Sequence, residues 1–285
     1  MFYLIQLLNA VQYGLLLFLL ASGLTLIFGI MGVINLAHGS FYMVGAYLAY
    51  WLAKITGSLW LAIPLGLVIA LAAGLVLETT LVSRLYKRDH LYQVLLTFGL
   101  ILIFEELRSI LLGDDVHGVA VPALLDYSLR LTDTLSYPVY RLFITAVCLL
   151  LAGLMYFVIH KTRLGMMIRA GSSNREMAAS LGVNIRLLFA LVFALGTALA
   201  AFAGMIAAPI SSVFPGMGNQ ILIICFVVVV IGGIGSINGA MIASLAIGFA
   251  DTLGKVLAPE YSGIAVYFLM AVILLWRPQG LANKT

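Results

Sequence analysis

Residues 187–250 read LLFALVFALGTALAAFAGMIAAPISSVFPGMGNQILIICFVVVVIGGIGSINGAMIASLAIGFA, sixty-four positions without one Asp, Glu, Lys or Arg. The first 53 residues lack these types as well, and Lys54 is the first formal charge. A chain folded in water needs charged side chains over its surface and cannot sustain such stretches. A bilayer favours them, because its hydrocarbon core of roughly 30 Å takes a helix of about 20 apolar residues. The chain therefore reads as a polytopic membrane protein, an all-α transmembrane helix bundle, and its function concerns what crosses the bilayer.

The rest of the composition agrees. Over 285 residues the chain is 64% hydrophobic and 9% charged, with a mean hydropathy of +1.16. These values exclude a soluble domain. A net charge of +4 raises nucleic acid as a partner, but the bases sit in short loops between apolar runs, the pattern of topology signals. No nucleic-acid partner is expected. Cys148 and Cys225 lie inside apolar runs and read as packing residues. No Lys or Arg precedes the first apolar stretch, which also runs too long for a cleavable signal, so it reads as a retained span. A single membrane domain, 1–285, accounts for the sequence.

Charges and turn residues divide the chain into nine apolar runs near 7–30, 31–53, 59–82, 91–112, 140–160, 187–208, 220–235, 236–256 and 262–276. Each is expected to be helical, since a lipid-facing backbone must satisfy its own hydrogen bonds, which gives eight to nine spans. Orientation follows from the bases. Loop 83–90 carries Arg84, Lys87 and Arg88; loop 161–186 carries Lys161, Arg163, Arg169, Arg175 and Arg186; the tail carries Arg277 and Lys284. By the positive-inside rule these segments are cytoplasmic. Loop 113–140 holds Asp114, Asp115, Asp126 and Asp133 against Arg130 and belongs outside. An external N-terminus and a cytoplasmic C-terminus satisfy all of these assignments.

Two glycine-studded stretches resemble each other. GIMGVINLA at 29–37 matches GGIGSINGA at 232–240 in five of nine positions: Gly29/Gly232, Gly32/Gly235, Ile34/Ile237, Asn35/Asn238 and Ala37/Ala240. Gly and Asn are poor choices for a continuous helix. At membrane depth, unwound backbone is tolerated only against protein or a wet cavity, and paired interruptions in two halves of a chain point to a translocation path. Close helix packing through small residues is the other reading. Two nucleotide motifs fail. Gly233 and Gly235 begin a dinucleotide fingerprint, but Asn238 stands where its third glycine belongs. Gly254-Lys255 imitates the end of a phosphate loop, yet Gly248 is one residue too far upstream and Val256 replaces Ser or Thr.

Loop 161–186 reads KTRLGMMIRAGSSNREMAASLGVNIR. Its part 174–181 has helical spacing, with Asn174 or Ser173 to cap it and Gly182 to end it. Met177, Ala178 and Leu181 make a small apolar face. So short a helix is marginal alone; a groove on a partner protein would steady it, and a position on lipid headgroups is the alternative.

EMAASLG at 176–182 resembles the Glu-Ala-Ala…Gly coupling segment of ABC-importer permeases, with Met177 as a departure from the pattern. GLTLIFG at 23–29 and GVINLAHGS at 32–40 are similar to the signature of the branched-chain amino-acid type permeases, and VVIGGIGSING at 229–239 is similar to that branch's late glycine-rich helix. The resemblance covers nearly the whole chain, in order. It implies a permease subunit of an ATP-driven importer, paired with a second permease, related or identical. Two cytoplasmic ATPase subunits would carry ATP and Mg, this chain binding no cofactor itself, and a periplasmic or extracellular binding protein would deliver the solute. It implies a bacterial or archaeal cell inner membrane. Carried onto this chain, the coupling residues are Gly165, Arg169, Ala170, Asn174, Glu176, Ala178, Ala179 and Gly182. A bulky or charged residue at Ala178 or Ala179 is expected to uncouple ATP hydrolysis from transport.

The candidate translocation path comprises Asn35, His38, Gly39, Ser40, Gly232, Gly235, Asn238 and Asp251. A neutral His38 can hydrogen-bond unwound backbone; it has no co-ligands for a metal. Asp251 is an intramembrane acid with Lys255 at i+4, spacing that favours an ion pair; a path or gate role is one reading and a place at the nearby outer interface the other. Glu105 and Glu106 lie in an apolar run with Arg108 placed to pair with Glu105; the outer interface, where charges cost little, is the preferred reading, and a contact within the permease pair the alternative. Glu78 reads as an inner-interface anchor. Loop 113–140 is long for a connection and is expected to dock the binding protein. A stand-alone secondary transporter or channel is the competing function, but it calls for more intramembrane charge than these spans supply. An intramembrane enzyme needs convergent nucleophile, base or metal ligands, and none is visible. The largely apolar spans suit a small, weakly charged or zwitterionic solute; the resemblance adds branched-chain and other hydrophobic amino acids.

Overall fold

The structure is a computed structural model that describes residues 2–86, 88–132 and 135–282. Lys87, Asp133 and Lys284, three of the topology signals above, lie outside the described residues. Every one of the nine apolar runs is a helix. In chain order these are α1 (Phe2–Leu26), continued by a π-helical turn Ile27–Met31, α2 (His38–Thr56), α3 (Leu59–Thr80), α4 (His90–Leu112) and α5 (Val139–Lys161). Loop 161–186 adds two short helices, α6 (Arg163–Ser173) and α7 (Arg175–Ser180). Then follow α8 (Ile185–Ser211), α9 (Met217–Gly232), α10 (Ile237–Leu257) and α11 (Ser262–Trp276). The architecture is all-α. The one departure among the described residues is an antiparallel hairpin of β1 (Ser128–Thr132) and β2 (Leu135–Pro138) in loop 113–140.

Among the described residues, five helices are long and apolar enough to cross a membrane: Tyr3–Met31, Leu59–Leu85, Val139–Lys161, Ile185–Ser211 and Ile237–Leu257. The chain is thus a multi-pass membrane protein. α9 and α11, of 16 and 15 residues, are shorter apolar helices. Val68 and Val76 on α3, Leu102 and Ile103 on α4, and Leu149 and Leu150 on α5 all stand exposed, as lipid permits.

α1 runs through the middle and packs against α10, α8, α5 and α9; α8 also packs against α2 and α3. Lipid tails are as apolar as leucine, so helix association here rests on close van der Waals fit. Small residues supply that fit. A Cβ on Gly45 of α2 would land on the carbonyl of Ala201 in α8, and one on Gly204 of α8 on the carbonyl of Tyr42. Gly23 of α1 meets Gly196 of α8 in the same way.

The two ends of the bundle differ. One end gathers the hairpin segment: His117 pairs by backbone with Val213 (2.8 Å) and stacks on Tyr50, and the buried Tyr137 donates to Asn9 Oδ1 at 3.2 Å. Here the expected Glu105–Arg108 pair forms at 3.2 Å, and Arg108 reaches Asp114 as well, at 2.9 Å. Those hydrogen bonds from Arg108 and Ser109 hold the Asp114 carboxyl below its usual range. The other end gathers the π-turn of α1, the α9–α10 turn, loop 161–184 and residues 277–282. At this end Glu78 is turned into the protein, 2% exposed, and accepts a hydrogen bond from Tyr86 Oη. It is therefore a buried partner of Tyr86 near the last turn of α3, at the loop end where the sequence placed it.

Candidate functional site

The two look-alike stretches break their helices and meet. After the π-turn, Gly32 adopts φ +63°, its N–H bonds to the Phe28 carbonyl at 3.0 Å, and α2 starts only at His38. α9 ends at Gly232; Gly233 and Gly235 take φ of +90° and +79°, and the Ser236 side chain caps α10 by accepting from Gly239 N–H at 3.1 Å. A Cβ on Gly29 would lie 2.6 Å from the Cα of Gly235, so backbone packs on backbone. Gly39 meets Gly218 of α9 and Gly232 meets Gly239 with the same closeness. The seam is tight in this conformation. Residues 277–282 close over it, with Leu281 N–H bonding the Ile231 carbonyl at 2.8 Å.

Beside the seam, Asn35, His38 and Ser40 are buried, while Asn238 is exposed. His38 Nε2 sits 3.0 Å from the carbonyl of Leu20, so its partner is helical backbone in α1 and not the unwound stretch. The Asn35 amide, the Thr25 hydroxyl and His38 Nδ1 are buried with no hydrogen-bond partner among the described residues. A buried polar group left unpaired costs about 1–3 kcal/mol.

The loop 161–186 folds from its caps. Thr162 accepts from Gly165 N–H at 3.3 Å and starts α6. Gly165 is buried against the end of α5, where a Cβ would strike the Ile159 carbonyl, and Arg169 donates to that same carbonyl. Asn174 caps α7, accepting from Met177 N–H at 2.9 Å, and Gly182 ends it at φ +88°. The predicted cap and stop are both found. Ala178 is 2% exposed, whereas Met177 is 59% and Leu181 77% exposed. Residues four apart share a helix face, so Met177 and Leu181 form an outward apolar pair and Ala178 faces the protein. Arg169, Ala170, Asn174, Glu176, Ala179 and Gly182 are also exposed. Sequence reading passed over α6, whose two terminal serines and two glycines disguise it, and it took Arg175 only as one of the topology bases.

Asp251 stands apart. It lies thirteen residues beyond Asn238 on α10, roughly 20 Å along the axis. The expected pair with Lys255 forms at 2.6 Å. Asp251 lines a cavity of about 340 Å³ at the hairpin end, together with Gln12, Tyr42, Arg141, Ser211 and Lys255. Arg141 donates to Asn9 Oδ1 at 3.0 Å there. Charged and amide groups inside a bundle require water, a solute or a partner.

A family model described as the permease component of branched-chain amino acid transport systems matches residues 6–274. The chain belongs to this family. The permease is similar to the high-affinity branched-chain amino acid transport system permease protein BraD of Pseudomonas aeruginosa, 31% identical over 299 residues that cover 99% of this chain and 96% of the relative. LivH of Escherichia coli K12 is 30% identical over 303 residues, covering 100% and 96%. LivM of the same strain, also a branched-chain amino acid permease protein, is 30% identical over 290 residues, covering 94% and 68%. No solved structure matches the permease. The broken seam, the capped loop and the polar cavity thus belong to a membrane permease component.

Proposed function

We propose that this permease is one of two membrane subunits of an ATP-driven importer for branched-chain or similar small hydrophobic amino acids, in a bacterial or archaeal inner membrane. Its similarity to both LivH and LivM of one organism supports pairing with a second, related permease. The hairpin end faces outside and the loop end faces the cytoplasm, so that the chain crosses nine times with an external N-terminus; the bases of loop 161–186 support this. ATP and Mg belong to two ATPase subunits, and this chain carries out no chemistry.

The observation that carries the reading is the capped loop with its outward Met177–Leu181 pair, an apolar surface on a basic cytoplasmic segment that calls for a protein groove. Loop 161–186 docks there on an ATPase. Solute released by an external binding protein, docked on segment 113–140, enters the cavity around Asp251 and Arg141. The Gly29–Gly235 seam is the closed inner gate, and the unpaired polar atoms of Asn35 and His38 line the route once it opens. ATP binding moves the docked loop, and by linkage a solute-loaded binding protein promotes ATPase closure.

Co-expression with the cognate ATPases and second permease tests this. Tagged permease in mild detergent is expected to bring down both ATPases, with hydrolysis stimulated by loaded binding protein. A permease that purifies alone under conditions where the ATPases are folded and abundant contradicts it.

A further inference from the structure

We propose that Arg175 is the link that carries motion of the docked loop to the break in α1. The proposal rests on the reading that loop 161–186 docks on an ATPase. Arg175 is the first residue of α7, and it lies three positions before the inward Ala178, on the same face. Its Nη2 donates to the carbonyl of Ile30 at 3.2 Å, a contact between residues 145 apart in sequence. Ile30 belongs to the π-turn, whose final carbonyls have no helical N–H to accept from. The guanidinium also lies over the ring of Phe189 in the first turns of α8, 5.3 Å from its centroid. One planar cation therefore joins the loop, the start of α8 and the break.

The opposite side of the break is the gate seam, where Gly29 rests on Gly235. A shift of α7 pulls on Ile30 one residue from that contact. Gly32 completes the fitting: a Cβ there would stand 3.0 Å from Arg175 Nη2. Phe189 makes a T-shaped contact with the ring of Tyr86, whose hydroxyl is fixed on Glu78, so the platform under the guanidinium is anchored in α3. No carboxylate pairs with Arg175 among the described residues. A carbonyl and a ring hold it, contacts that can be exchanged during a switch more readily than a buried ion pair. Arg suits the task because its fork and its flat face act together, which Lys cannot reproduce.

The test uses the assembled importer in proteoliposomes with labelled leucine and internal ATP. Arg175→Ala is expected to retain the ATPases on purification and hydrolyse ATP within about twofold of the parent, yet transport at least tenfold less per ATP. Arg175→Lys is expected to fall between. Parental uptake per ATP in Arg175→Ala overturns the proposal. Loss of the ATPases from Arg175→Ala overturns it as well, since Arg175 would then be a docking contact. Failure of the docking reading is seen separately, as retained ATPases after charges are placed on Met177 and Leu181.

Discussion

Replacing Met177 and Leu181 together with Asp is expected to strip the ATPase subunits from the purified permease and to abolish ATP-driven uptake. Both side chains are largely exposed in the isolated subunit, so the substitutions leave its own packing alone. In a groove of a partner the same positions lose water, and a carboxylate without a partner there is strongly unfavourable. Anchor positions of this kind each contribute about 2 kcal/mol or more, roughly thirtyfold in affinity apiece. The measurement is ATPase retention on tagged permease in mild detergent, with the permease's elution profile as the folding control. Full retention would remove the docking role of α7. Ala178 and Ala179, equivalent in the sequence reading, separate here: Ala178→Glu damages the loop's own packing, and only Ala179 is open to a partner.

Gly45→Val is expected to be among the most damaging single changes to the fold. Its Cβ would occupy the position of the Ala201 carbonyl, and Gly204 makes the reciprocal contact with Tyr42 from the other helix. Backbone cannot swing aside as a side-chain tip does, so α2 and α8 must separate along their length. Overpacking costs about 1–3 kcal/mol and more where backbone is the obstacle. A loss near the upper figure lowers the melting midpoint by roughly 5 °C in a chain of this size. Gly99→Ala serves as the control, because a Cβ there meets nothing within 4 Å. Thermal unfolding in detergent decides it: equal midpoints for the two variants would refute the small-residue seam as the source of cohesion.

Much of this was legible in the sequence because the bilayer narrows the options. Uncharged runs become helices whatever their β-branched content, as 225–231 shows inside α9. Caps are local, so Asn174 and Gly182 announced α7 correctly. The likeness of 29–37 to 232–240 pointed at two breaks, and the fold presses Gly29 onto Gly235. What sequence could not give is which side of an element faces inward. Met177, Ala178 and Leu181 looked like one apolar face, yet Ala178 is buried and the other two are not. Glu78 read as an inner-interface anchor, but its partner Tyr86, eight residues on, was not legible. Asp251 entered the path list as an intramembrane acid close to the outer interface; α10 carries it to the hairpin end, where it lines the cavity with Arg141. The hairpin 128–138 escaped notice in a segment defined by acids and prolines. Arg175 passed for one topology signal among several, since nothing local ties it to Ile30.

Accumulation of labelled leucine in proteoliposomes tests the central claim most directly, with the permease pair present and the ATPases either included or left out. The account predicts uptake against a gradient only when ATPases, internal ATP and loaded external binding protein are all present. Accumulation by the permease without ATPases, driven by a proton or sodium gradient, would contradict it.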